Sequence, residues 1–215
     1  MNRIILFSVL TITLLFSVTT STFIESTNAS PVWYDENWQY RQKLTINQTK
    51  VTCDLTNFPI LVFLDNINLT KAQNDGDDIL FTDSTQQKLN HEIEFFSNAT
   101  GTLYAWVRIP NLDSDSATVI YIYYGNNAAS DQRNPAGVWD SNYKMVQHLN
   151  EDISPHLDST SNDNHGDPIG GINKSATGII DGADDFDGVS GYVDFGSNAS
   201  LAITSKITFE AWIYP

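Results

Sequence analysis

Beyond residue 30 the apolar positions never settle into a 3.6-residue stripe. They come in short runs bounded by Gly, Asn, Asp and Pro, the pattern of strands. Residues 43–46 alternate, with Leu44 and Ile46 on one face. Residues 59–64 (PILVFL) are apolar on both faces and predict a strand buried on both sides. In residues 91–95, Ile93 and Phe95 are expected inward, with Glu92 and Glu94 outward. Residues 103–109 place Leu103, Ala105, Val107 and Ile109 on one face, and Tyr104, Trp106 and Arg108 on the other. Residues 118–124 (TVIYIYY) are β-branched or aromatic throughout and predict a central strand. The polar stretch 111–116 is expected to join the last two as a hairpin, with Gly125-Asn126 closing the second strand as a turn. Together these elements predict an antiparallel sandwich.

After Asn142 a second block begins without a flexible linker. From His148 onward its only basic residues are Lys174 and Lys206. Strands are expected at 145–149, 192–195 and 207–214. The last is a long apolar strand with no following sequence to pair with it, which points to a chain cut short.

The first thirty residues have a different layout. Arg3 precedes an apolar run from Ile4 to Val18, and a Ser/Thr-rich stretch leads to Ser30. This order predicts a secretory signal peptide, with cleavage after Ala29. The competing reading is an uncleaved anchor, since no charge occurs between Arg3 and Glu25; contact with a membrane is expected only if the segment is retained. Either way the remainder is expected outside the cytoplasm. Asn-x-Ser/Thr triplets occur at Asn47, Asn68, Asn98, Asn173 and Asn198.

Charge then narrows the partners. The 215 residues carry 26 acidic against 11 basic side chains, a net charge of −15, which argues against nucleic acid because nothing neutralises a row of phosphates. A single cysteine excludes an intramolecular disulfide framework and a Cys-rich zinc site. Cys53 reads as a small, partly buried residue.

Several runs carry a resemblance. Trp38-Gln-Tyr40-Arg41, Asp75-Gly-Asp-Asp78-Ile-Leu-Phe81-Thr-Asp83, Lys88-Leu89-Asn-His91-Glu92-Ile93-Glu94, Ala105-Trp106-Val107-Arg108-Ile109-Pro110 and Ile120-Tyr-Ile-Tyr123-Tyr124-Gly125-Asn126 follow in order. From Trp38 to Trp139 the chain resembles the family called domain of unknown function 2341, found on exported multidomain surface proteins and without an established activity. The remainder resembles the first part of a laminin-G-like, concanavalin A-like jelly roll. Its markers include Gln147-His148-Leu149-Asn-Glu151, Asp158-Ser-Thr-Ser-Asn162-Asp-Asn164-His165-Gly166, Phe186-Asp187-Gly188 and Thr208-Phe209-Glu210-Ala211-Trp212-Ile213. The expected organisation is therefore a leader at 1–30, a β-sandwich at 31–141 and a truncated laminin-G-like domain at 142–215. The fold class is all-β, an antiparallel β-sandwich followed by an incomplete jelly-roll sandwich.

Candidate chemistry is sparse. In the loop 158–167 acidic and amide side chains offer the oxygen ligands that calcium prefers, here Asp158, Asn162 and Asn164. The jelly-roll resemblance implies a structural calcium at Asp158, expected only in the complete second domain; the loop departs from that pattern at Ser161 and Asp163, where glycine is usual. The competing reading is a solvated turn rich in Asx residues. The same choice applies to Asp75–Asp78, where a turn capped by Asx hydrogen bonds is preferred. Asp181, Asp184, Asp185 and Asp187 read as solvated acids on a strand approaching a turn. Tyr104, Trp106 and Arg108 form a candidate sugar-binding platform, weighed against packing with a cation–π contact. Trp38, Trp139 and Trp212 read as core anchors. The histidines at 91, 148, 156 and 165 show no metal-ligand spacing and read as loop or cross-strand residues, and no nucleophile elbow or phosphate-binding glycine loop occurs.

These features predict an exported, non-catalytic surface or secreted protein of β-sandwich modules whose partner is a glycan or a surface protein. The alternative is the targeting region of a longer polysaccharide-active enzyme.

Overall fold

The computed structural model describes residues 33–214, so the expected leader at 1–30 lies outside the described residues. Strands β1 (Tyr40–Ile46), β2 (Leu55–Asp65), β3 (Leu80–Asp83), β4 (Lys88–Leu89), β5 (His91–Ser97), β6 (Thr102–Leu112) and β7 (Thr118–Tyr124) build two antiparallel sheets. One has the order β1-β7-β3-β4 and the other β2-β6-β5. A short helix α1 (Pro135–Val138) follows. Beyond it lie two antiparallel ribbons: β8 (Asp167–Ile169) pairs with β11 (Tyr192–Asp194), and β9 (Ile172–Thr177) with β10 (Gly182–Phe186). The chain is thus all-β, with an antiparallel sandwich as its main body. Among the described residues no helix is long and apolar enough to cross a membrane.

The alternation read from the sequence builds the core. Leu44, Ile46, Ile120 and Ile122 face Ile60, Val62, Leu64, Leu103, Ala105, Val107 and Ile109, each at most 5% exposed. Burying each large aliphatic side chain is worth about 1.5–3 kcal/mol, which ties the two sheets together. Strand β7 is central, flanked by β1 and β3, as its unbroken apolar run predicted.

Three sequence expectations are corrected in the sandwich. Strand β2 is an edge strand with one buried face, and Phe63 is 44% exposed. In β5 a bulge between Ile93 and Phe95 shifts the register, so Phe96 joins the core and Phe95 pairs with Tyr104 on the outer face. The extra residue of a bulge reverses the alternation beyond it. The segment after β6 makes no hairpin: β6 and β7 lie in different sheets, so the chain crosses from one to the other. Asp113 organises this crossing, accepting from the backbone N–H groups of Asp115 and Ser116.

The second block differs more. Residues 145–149 form no strand; Gln147 makes an isolated bridge to Asp158, outside the named strands. Residues 207–214 form no strand either, and Trp212 is 76% exposed rather than a core anchor. Without a paired neighbour an apolar run has no ladder to join. Trp38 and Trp139 are buried, but outside the main core. Trp38 packs with Leu80 and Tyr123 on the outer side of the first sheet.

Candidate functional site

The outer face of the β2-β6-β5 sheet carries the face read from the sequence as Tyr104, Trp106 and Arg108. Cross-strand pairing arranges it in rows. Leu61, Trp106 and Glu92 form one row; Phe63, Tyr104 and Phe95 form the next. Facing pairs in a sheet stand close enough for their side chains to touch.

The row through Trp106 is covered. The Trp106 ring lies 5.2 Å from Trp139, and Trp139 lies 5.1 Å from Tyr143. Trp106 Nε1 donates to Glu94 Oε2 at 2.7 Å, and Trp139 Nε1 donates to Glu92 Oε2 at 2.8 Å. The Ser159 hydroxyl donates to Glu92 Oε1. His148 sits between the two acids, with Nε2 3.3 Å from Glu92 Oε1 and Nδ1 3.3 Å from Glu94 Oε1. The first of these distances is ionic contact rather than a well-aligned hydrogen bond, because Nε2 has no partner of good geometry. Arg108 Nη1 donates to the Gly137 carbonyl at 3.0 Å, which fixes α1 over the sheet.

The electrostatics follow from this burial. Desolvation alone would lower the His148 pKa, but its contacts with the Glu92 and Glu94 carboxylates outweigh this and hold the imidazolium up at about 10. Burial pushes the Glu92 carboxyl up, and His148, Ser159 and Trp139 more than offset this, so its pKa falls below the usual value. The cluster is an imidazolium shared by two carboxylates, with the acid oxygens engaged by indoles, a hydroxyl and the cation. It can neutralise charge and hold residues 139–159 onto the sheet.

The row through Tyr104 is open. The Phe63 ring lies 4.7 Å from Tyr104, and Phe95 lies 6.3 Å from it on the other side. Phe63 is exposed, and Tyr104 and Phe95 are half-buried. The three sequence candidates are therefore divided: Tyr104 belongs to an open aromatic row, while Trp106 and Arg108 are committed to packing.

The loop read as a calcium site is closed by protein donors. Asp158 Oδ1 accepts from the N–H groups of Val146 at 2.9 Å and Thr160 at 3.0 Å. Its Oδ2 accepts from Thr160 Oγ1 at 2.7 Å and Asn164 N–H at 2.9 Å. Asn162 Nδ2 donates to the carbonyls of Tyr143 and Lys144. Asn164 Nδ2 donates to the Lys144 carbonyl and its Oδ1 is bonded to Ser200. Calcium wants 6–8 oxygens, and this arrangement presents no such shell. No group of three His, Cys, Asp or Glu side chains converges as a metal site among the described residues.

Other assignments shift as well. Asp184 is not solvated: its side chain is fully buried, with Oδ2 2.9 Å from His156 Nε2, while His156 Nδ1 lies 3.1 Å from Glu151. Burial raises the Asp184 pKa, and His156 offsets only part of that. His91 is buried against Phe81. Cys53 is exposed. Asp78, in the loop read as an Asx turn, is fully buried and accepts from Gln73, Gly125 and Asn126 N–H groups. The Glu92–Glu94–His148 cluster escaped the sequence reading because His148 lies far along the chain from the two acids. The only signal was a pair of acids at period two in an otherwise apolar strand.

The two facing antiparallel sheets define an all-β sandwich protein. Within it, residues 75–163 match the family described as Domain of unknown function (DUF2341). The match runs through β3 to β7 and includes the His148 and Asp158 segment packed on the sheet. No curated protein matches the chain, and no solved structure does.

Proposed function

We propose that this chain is an exported, non-catalytic binding module of a cell-surface or secreted protein, and that its ligand is a neutral glycan. The observation that carries this reading is the open row of Phe63, Tyr104 and Phe95 across the three strands of one sheet. Aromatic rings offer flat apolar surface to the C–H faces of pyranoses, and a Tyr hydroxyl adds a polar handle. The net charge of −15 disfavours acidic sugars, which would meet repulsion on approach. The second block is read as part of a laminin-G-like, concanavalin A-like domain on the markers given above. Its two ribbons are compatible with that reading, and calcium at this loop would have to displace the protein donors now on Asp158.

The test is retention on insoluble neutral polysaccharides and on a glycan array. Phe63→Ala and Tyr104→Ala are expected to lose retention while keeping the wild-type melting temperature within a few degrees. Retention unchanged in both variants would overturn the platform. Amino-terminal sequencing of material recovered outside the cells tests export separately, with a new terminus near Ser30 expected.

A further inference from the structure

The five Asn-x-Ser/Thr triplets among the described residues are equivalent in the sequence but not in the fold. Asn98 lies in the turn between β5 and β6, and its Nδ2 donates to the carbonyls of Thr70 at 3.1 Å and Ala72 at 2.7 Å. Both amide protons are spent on pinning that turn to the 3₁₀ turn Ile67–Lys71. Asn68 donates to Asn66 Oδ1 at 3.1 Å, and Asn198 donates to the Asn162 carbonyl at 3.3 Å. Asn173 is held in the β9–β10 ladder opposite Asp185.

Asn47 differs from all of these. It follows β1 at an exposed loop tip and opens the 3₁₀ turn Gln48–Lys50. Its Oδ1 accepts from the Thr49 N–H at 3.0 Å. This Asx turn draws the third residue of the triplet towards the amide, while Nδ2 donates to no protein acceptor among the described residues. The carbonyl oxygen is engaged and the nitrogen faces solvent, beside an exposed Thr49.

We propose that Asn47 is the acceptor for an N-linked oligosaccharide in the folded chain, and that Asn98, despite its matching triplet, is not. The donor is a lipid-pyrophosphate-linked oligosaccharide, presented by an oligosaccharyltransferase. The Asn47 amide nitrogen forms a bond to the anomeric carbon of the first sugar. The bond from that carbon to the pyrophosphate oxygen breaks, the lipid pyrophosphate leaves with the electron pair, and one amide proton passes to a base. At Asn98 the same step requires both hydrogen bonds to break and the turn to detach, which should slow it by about tenfold or more. In the cell the reaction presupposes the export proposed above.

The test uses full-length chain purified unmodified from cytoplasmic expression. It is incubated in the folded state with a single-subunit oligosaccharyltransferase that accepts Asn-x-Ser/Thr and with a lipid-pyrophosphate oligosaccharide. Occupancy is read by peptide mass spectrometry, and synthetic peptides carrying each triplet report the reactivity of the bare sequence. The expected result is Asn47 modified and Asn98 nearly unmodified in the folded chain, with comparable reactivity of the two peptides. Equal occupancy at both sites overturns the proposal. So does an unmodified Asn47 whose peptide reacts, or a peptide pair that already reproduces the folded ratio. An Asn47 that reacts in this assay but is bare in protein from the native host would count against export and leave the acceptor assignment standing.

Discussion

Asp78 holds together points that are remote in the chain. Its carboxylate accepts from Gln73 N–H at 2.9 Å, Gly125 N–H at 2.6 Å and Asn126 N–H at 2.8 Å, and its carbonyl accepts from Trp38 Nε1 at 2.6 Å. Gly125 is needed here on two counts: its φ is +87°, and a Cβ would meet the Tyr40 ring at 2.5 Å. Asp78→Ala leaves three donors without an acceptor and should cost about 3 kcal/mol or more, read from the urea midpoint. A change below about 1 kcal/mol would mean that water replaces the carboxylate at no cost. His91 sets a second residue-scale expectation. Burial, with the Lys88 charge adding to it, pushes its pKa down to about 4, and the Leu89 backbone offsets only part of this. The folded state therefore holds the ring neutral while the unfolded chain takes a proton below about 6.5. Stability should fall as pH drops from about 6.5 towards 4, by up to about 3 kcal/mol from this group. Urea titrations across that window should show a shallower slope for His91→Phe than for the wild type, and parallel slopes would remove His91 as the cause.

Among the elements, β6 and β7 were legible and β5 was not, for a physical reason. The alternation in β6 is unbroken over residues 102–110, and each inward residue there meets the facing sheet. In β5 the bulge inserts one residue, and nothing in the local sequence distinguishes Phe95 from Phe96 as the inward ring. The crossing after β6 was misread because a short polar stretch between apolar runs suits a hairpin and a sheet-to-sheet passage equally. One of the three rings of the proposed site, Tyr104, was visible on the outward face of β6; its partners Phe63 and Phe95 depend on register, which the sequence does not print. The His148 clasp gives a prediction at this scale. A raised histidine pKa contributes stability that is complete below about 6.5 and is lost as pH rises towards the folded value of about 10. Glu92, lowered in the fold, adds a loss on the acid side below its usual range. His148→Gln should thus be destabilised at neutral pH and should flatten the alkaline limb of the stability curve. An alkaline limb of unchanged steepness would place its origin elsewhere.

At the scale of the whole molecule, residues 207–214 form a run of exposed apolar side chains. Ile207, Phe209, Trp212, Ile213 and Tyr214 are between 67% and 100% exposed. Backbone without ladder partners opens at little cost, so chymotrypsin should cut after Phe209 and Trp212 before any site in residues 40–124. Early cleavage inside the sandwich instead would show that the two sheets separate more readily than their shared core implies.

Tyr40 and Tyr124 pair directly at one end of the β1–β7 ladder, so the chain enters and leaves the sandwich at neighbouring points. A pull applied through the flanking segments would therefore peel β1 from β7 one rung at a time rather than load the rungs together. Asp78 stands at the mouth of that seam, bound to Trp38 on the entering side and to Gly125 and Asn126 on the leaving side. Tension would reach this buried residue before it reached the first rung, its carbonyl holding the entering side and its carboxylate the leaving side, which makes one residue the lock on an otherwise easily opened zip.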